Sequence, residues 1–493
     1  MTVRPPGHLS RAARPRGEAE NRWPCLWWLL VVGVLAAGCA APAVPAPPPA
    51  GAAGEGASPP TGLPNPGSAP PTPERSSLRA IRPLPGGLDD VPVLNVNNPE
   101  LLRRGGVLAS TLAGGGANLD FAFTGPFELF WHHIAETAFL DGNDAAWLAL
   151  IAENDGATPV GLRRVAGASW LTTEAPFVDL ESRVEDPRGT VFAGPGSRVA
   201  VDWLLGRSSV PPASWTLAPG ARDVLFSEPI PAKTLGLPTR NARSGLYRFQ
   251  GDGAVRLAAV ALFGRAGSRP SDEAFLAVLR EGQRAGPPER QATVYPPGAP
   301  PAGGSFTYGR VSGVSLGARW AGQLFERASV ALPDAGDWVG FPIASVAQNT
   351  LGTAQIQAPR MARRYPDVPP EAHGSYGVTY DLRIPLDNPG STPRQYALAL
   401  SHPVRIPEGK PAAPSYAVTP GPLTTFRGPV RFDWDEGPGQ PRRLLTHLVL
   451  RQGEQGAPFA TVTVPPGWRT DGRLTLVYPA DCTPPQLLTV TRL

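Results

Sequence analysis

GLYRFQGDGAVRLAAVALF, residues 245–263, holds two alternating apolar runs, Leu246-Tyr247-Arg248-Phe249 and Val255-Arg256-Leu257-Ala258-Ala259-Val260, on either side of Gly251-Asp252-Gly253. Alternation with period two puts one face of each run on a core and the other toward solvent, as in a half-buried strand. Glycines flanking an aspartate are turn chemistry, so the stretch predicts a β-hairpin. The same texture recurs outward from it. Leu119-Asp120-Phe121-Ala122-Phe123 and Phe127-Glu128-Leu129-Phe130-Trp131 alternate likewise, and 56 glycines and 62 prolines interrupt such runs along the chain. One segment breaks the pattern: from Ser271 to Glu281, Phe275, Leu276, Val278 and Leu279 form one helical face, Ser271 can cap it, Asp272 and Glu273 favour its positive end, and Gly282 can end it. This helix is expected to pack on a sheet. The fold class that follows is mainly β, with few short helices.

Residues 286–304 form a Pro/Gly-rich break, and the chain on its two sides shows an internal echo. Asn154-x-Gly156-Ala157-Thr158-Pro159 recurs as Asn388-x-Gly390-Ser391-Thr392-Pro393, and Thr190-x-Phe192-x-Gly194-Pro195 recurs as Thr424-x-Phe426-x-Gly428-Pro429. Asn and Phe lie 38 residues apart in both copies. Each Asn motif reads as a loop between two strands, Leu148–Ala152 and Val160–Val165 in the first copy, Leu382–Leu386 and Tyr396–Leu400 in the second. The reading is two β-sandwich-like domains, 78–285 and 305–493, joined by the linker 286–304 and related by duplication.

The N-terminal part is of a different kind. Five arginines against two acids in the first 25 residues precede an apolar run, Leu26 to Ala37, too short to span a bilayer. The run ends in Leu35-Ala36-Ala37-Gly38-Cys39, which resembles a lipobox. Residues 1–38 are therefore expected to be a lipoprotein signal peptide and Cys39 the lipid acceptor. Residues 39–77, rich in Pro, Ala and Gly, read as a disordered stalk. Residues 1–38 take five of the 45 basic and two of the 41 acidic residues, leaving 40 against 39, a net charge of +1. So small an excess argues against nucleic acid as a partner. Only Cys482 remains for the folded part, so no intramolecular disulfide holds it.

Few residues invite chemistry. His132 and His133 with Glu136 form the densest cluster of metal-ligand types, and His373 lies in the second half. Alternation before His132 predicts a strand, which sends adjacent histidines to opposite faces. They are read as a polar or binding cluster; no metal and no cofactor is expected, and no catalytic residue is assigned. Gly313-Val314-Ser315-Leu316-Gly317 matches a nucleophile-elbow pattern but lacks the strand–turn–helix setting. Asp141-Gly142-Asn143-Asp144 and Asp433-Trp434-Asp435-Glu436 gather oxygen donors in expected loops without EF-hand spacing. Among nine tryptophans outside the signal segment, Trp215, Trp434 and Trp468 stand next to turns, where exposed rings would offer platforms for sugar faces.

Arg82-Pro83-Leu84-Pro85-Gly86-Gly87-Leu88-Asp89, Thr190-Val191-Phe192-Ala193-Gly194-Pro195-Gly196, Tyr308-Gly309-Arg310-Val311 and Ala372-His373-Gly374-Ser375-Tyr376-Gly377 together resemble a family of uncharacterised, mainly cyanobacterial proteins, domain of unknown function 3370. The resemblance runs from about Leu78 to Leu493. It implies an envelope protein and carries no catalytic residues.

The functional expectation is an exported envelope lipoprotein held on a membrane by its N-terminal lipid, in the periplasm or at the outer membrane. It would be a non-enzymatic binding or structural module for envelope polysaccharide, peptidoglycan or an envelope protein. The alternative is an envelope hydrolase acting on glycan or peptide, which would require His133, Glu136 or His373 to converge with an acid in one concave pocket.

Overall fold

The computed structural model describes residues 79–114, 116–232, 239–287, 292–296, 307, 309–404, 406, 413–437 and 439–493. The expected signal peptide with Cys39, the stalk and much of the 286–304 segment lie outside the described residues. In chain order the first strands are β1 (Arg79–Ile81), β2 (Gly87–Leu88), β3 (Pro92–Val96), β4 (Gly106–Ser110), β5 (Phe123–Glu136), β6 (Ala145–Glu153), β7 (Val160–Leu171) and β8 (Arg183–Glu185). Helix α1 (Pro195–Leu204) follows, then β9 (Ala213–Leu217), β10 (Arg222–Pro231), β11 (Arg240–Gly264) and α2 (Asp272–Glu281). The later elements are β12 (Ser312–Leu316), β13 (Arg319–Gln323), α3 (Ala328–Ala331), β14 (Trp338–Ile343), β15 (Arg360–Arg364), β16 (Thr379–Asp387) and β17 (Arg394–Ser401). The last are β18 (Thr424–Asp435), β19 (Pro441–Arg451), β20 (Pro458–Val464), β21 (Arg469–Val477) and β22 (Gln486–Arg492). The protein is mainly β, and no helix among the described residues is long and apolar enough to cross a membrane.

The hairpin expected at Gly251-Asp252-Gly253 does not form. Residues 240–264 are a single strand whose first half pairs with β5 and β7 and whose second half pairs with β6 and β4. The glycines sit where the strand passes from one sheet to the other, and the register with β5 slips between Gly251 and Val255. Neither glycine takes the positive φ that a two-residue hairpin turn needs. Their smallness serves packing instead: a Cβ on Gly253 would lie 2.8 Å from a Val160 methyl. Asp252 closes no turn but accepts a hydrogen bond from the Gly161 N–H at 2.7 Å, tying the bend to β7. A strand shared in this way makes the corner of a sandwich. Phe127, Leu129, Trp131, Tyr247 and Phe249 on one side meet Leu148, Leu150, Leu257 and Ala259 on the other in one buried cluster.

The second core lies between the five-stranded sheet β1-β14-β22-β17-β20 and the seven-stranded sheet β2-β13-β16-β21-β18-β19-β8. Phe341, Leu398 and Leu488 from the former pack on Leu382, Phe432 and Leu474 from the latter. The strands do not divide at 286–304. β1, β2 and β8, from the first half, complete the second half's sheets, while β12 and β15 pair into the first half's sheet beside β3. Helix α1, which the sequence reading did not anticipate and whose first residue, Pro195, ends a repeat motif, fills the seam. Its Val199, Ala200 and Leu204 share a cluster with Phe130 and Leu246 on one side and Leu445, Val477 and Ala480 on the other.

The Asn motifs and the Phe motifs part company here. Asn154 Nδ2 donates to the carbonyls of Thr158 (2.7 Å) and Leu217 (3.0 Å), and its Oδ1 accepts from the Gly156 N–H. Asn388 repeats this with Thr392 (2.8 Å), Val464 (2.9 Å) and Gly390. Thr190 to Pro195 is a loop entering α1, whereas Thr424 to Pro429 lies within β18. The α2 helix is as expected: the Ser271 hydroxyl accepts from the Ala274 N–H, Gly282 is left-handed, and Phe275 and Leu279 bury against β4, β6 and β11.

Candidate functional site

His132 and His133 lie in β5 and point to opposite faces, as the alternation predicts. His132 Nδ1 shares a 2.6 Å hydrogen bond with Ser244 Oγ on β11, and its Nε2 stands 3.4 Å from the Asp481 carboxylate, which comes from the far half of the chain. Burial opposes charging of this ring, but the Asp481 carboxylate outweighs it and holds the pKa above the usual range. The line Ser–His–Asp has the composition of a catalytic triad in a sealed place: Ser244 is 1% exposed and His132 2%. No substrate carbonyl reaches such a hydroxyl. The arrangement pins the two halves together.

His133 bonds the Pro99 carbonyl at 2.8 Å, and burial pushes its pKa down to about 3, so it is neutral. Glu136 pairs with Arg240 at the strand's end. His373 Nε2 and the Tyr295 hydroxyl are 3.0 Å apart, and that hydroxyl donates to Glu371. Burial lowers the His373 pKa to about 4. The four residues thus engage four separate sets of partners. Cys482 is buried, and burial pushes its thiol up to about 12, which leaves it unreactive. Ser315 is in β12, fully buried, and accepts from Asn95 Nδ2.

Beside Ser315 lies an enclosed space of about 10 Å³, the size of one water, lined in part by Asn95, Glu128 and Tyr376. Glu128 is 2% exposed, and burial raises its carboxyl to about 7 despite the Arg248 guanidinium 2.6 Å away. None of the four sequence candidates lines this space. Trp215, Trp434 and Trp468 are half-buried rather than exposed: Trp434 stacks on Phe432 at 5.3 Å, and Trp215 packs against the first core.

Concave surface appears elsewhere, on the outer face of the seven-stranded sheet. A groove of about 520 Å³ runs over β13, β16 and β21, bordered by Arg319, Arg383 and Arg473 with Ala321, Gly322 and Gly472 between them. Asp433 and Asp435, expected in a loop, are part of β18 and extend the same face. The charges form a repeated unit, one aspartate holding two arginines. Asp381, with a side chain 6% exposed, accepts from Arg319 and from Arg473 at 2.6–2.7 Å. Asp471 holds Arg383 at 3.3 Å and Arg469 at 3.2 Å. Asp433 holds Arg431 and Arg443, both at 2.6 Å. Burial would raise the Asp381 pKa, but the hydrogen bonds from Arg473 and Arg319 win and hold it below the usual range, so the unit stays charged. Helix α1 covers one end of the face, where Arg431 donates to the Leu204 carbonyl; the remainder is open. Sequence reading missed this face because its arginines are scattered over five strands, and only the period-two spacing within each strand hinted at a common side.

Compared with known proteins, residues 79–492 match the family model described as "Protein of unknown function (DUF3370)". No curated protein matches the sequence. A solved structure of the Macrobrachium rosenbergii nodavirus aligns over 87% of this chain and 96% of its own, at 12% identity and a TM-score of 0.11, a value that carries no argument.

Proposed function

Because the chain belongs to the DUF3370 family, whose description names no activity, we propose its function from its own residues: an exported lipoprotein, anchored through Cys39, that acts as a non-enzymatic binding or structural module in the cell envelope. The observation that carries this reading is the order of segments at the N-terminus, an arginine-rich start, a short apolar run, Leu35-Ala36-Ala37-Gly38-Cys39 and a Pro-rich stretch. Binding is favoured over hydrolysis because His132, His133, Glu136 and His373 are tied into separate networks and the open concavity is lined by arginine and aspartate instead. Cells expressing the full chain and fed an alkyne-tagged fatty acid test the anchor. The wild type takes up the label and fractionates with the envelope, and Cys39→Ser does not take it up. An unlabelled wild type, or one recovered from the cytoplasm, would end the lipoprotein reading. Full-length protein extracted in detergent then tests the class, by capture of envelope glycan or protein in place of hydrolysis of it.

A further inference from the structure

We propose that the open part of the arginine face is a binding site for an acidic polysaccharide, a chain of sugars bearing carboxylate or sulfate groups, centred on Arg383 and Arg473. The inference rests on the proposed function in that it names the ligand of the binding module. Its physical basis is separate.

Arg383 on β16 and Arg473 on β21 are directly opposed across the strand pair. Like charges in that relation repel, at a few tenths to about 1 kcal/mol. A sheet kept only for stability gains nothing from the pair; a sheet that takes up an anion between the two does. The surrounding acids do not balance the charge: the three aspartates hold two arginines each, six in all, and Asp435 on the same face adds a fourth acid, which leaves an excess of two. Two excess charges on one face compare with +1 for the whole chain after residue 38, so the charge is concentrated here.

The side chains are also presented for use. Those of Arg319, Arg383, Arg443, Arg469 and Arg473 are between 48% and 60% exposed. A guanidinium has five N–H donors, and the aspartates occupy one or two of them, so the rest face outward in the fork that suits carboxylate and sulfate oxygens. Because Asp381 is buried and grips two guanidiniums at once, those groups lose little freedom when a ligand arrives.

Shape selects among anions. The groove is shallow and floored by Ala321, Gly322 and Gly472, which suits an extended chain rather than a compact ligand. Arginines on neighbouring strands are about 5 Å apart and those two residues along a strand about 7 Å, spacings comparable to the rise of successive sugars. None of the exposed large apolar residues lies on the five strands of this face, so it carries nothing to insert into a lipid surface.

The test uses detergent-purified full-length chain on four immobilised probes: alginate and dextran sulfate as acidic polysaccharides, neutral dextran, and poly-glutamate, with phosphatidylglycerol vesicles as a fifth in sedimentation. The two acidic polysaccharides should bind, neutral dextran should not, and affinity should fall as salt rises. Replacing both central arginines, Arg383→Ser with Arg473→Ser, should weaken binding by about tenfold or more. Arg280→Ser, on α2 and away from the face, should change nothing. Equal binding to neutral dextran, or wild-type affinity in a double variant that melts like the wild type, overturns the site. Poly-glutamate or vesicles bound as tightly as the acidic glycans overturn the ligand assignment. None of these readings needs the lipid, so failure of the Cys39 labelling and failure of this site are separate results.

Discussion

Glu128 shows what a single buried group can cost. Its carboxyl, pushed up to about 7 by burial, holds in the folded chain a proton that the unfolded chain releases near its ordinary value of 4.5. Between those values the folded state binds more protons than the unfolded, so stability from this group falls as pH rises through the window. Glu128→Gln removes the charge and keeps the shape. Its gain over the wild type should be near zero at pH 4.5 and approach roughly 3 kcal/mol above pH 7. Urea unfolding at the two pH values checks this, and an equal gain at both would mean that the carboxyl is not the cause. His133 runs the other way. Its depressed pKa favours folding above the ordinary imidazole range and loses that benefit as pH falls toward about 3. Of the sequence candidates, the opposed facing of His132 and His133 was legible from period-two alternation alone. Their partners were not, since Asp481 lies in the other half of the chain.

At the scale of elements, α2 and β11 teach opposite lessons. The helix was readable because its cap, dipole-favouring acids, apolar face and terminating glycine all sit within a dozen residues and agree. The glycines of β11 were misread because smallness has two uses, conformational freedom in a turn and close approach in a packed bend, and local sequence does not separate them. The bend assigns a cost to any added volume. Gly253→Ala should destabilise by about 1–3 kcal/mol through crowding against Val160, measured by urea unfolding, because the φ there is one that alanine accepts. An unchanged midpoint would show that β7 yields freely. The Asn154 and Asn388 loops are a third case: side-chain bonds to carbonyls within the loop and across to the last residue of a neighbouring strand recur in both, so the echo read in the sequence has a local physical cause whatever its origin.

Across the whole molecule, the halves each supply a core but exchange strands at their edges. Residues 79–285 alone would leave β3 without β12 and β15, and residues 305–493 alone would lack β1, β2 and β8. Exposed edges and a missing seam predict that neither fragment melts cooperatively, while the two expressed together associate and do so. Circular dichroism melts with size-exclusion chromatography decide it, and a cooperative melt from an isolated fragment would make the exchanged strands dispensable. By itself the sequence determined the strand-rich class, the single clear helix and the Asn loops, because periodicity, caps and turns are written in neighbouring residues. Tertiary structure alone decided that one strand turns the corner of a sandwich, that strands cross between the halves, and that arginines from five strands share a face with four aspartates. Those outcomes depend on register between segments far apart in the chain, and register is set by how whole faces pack.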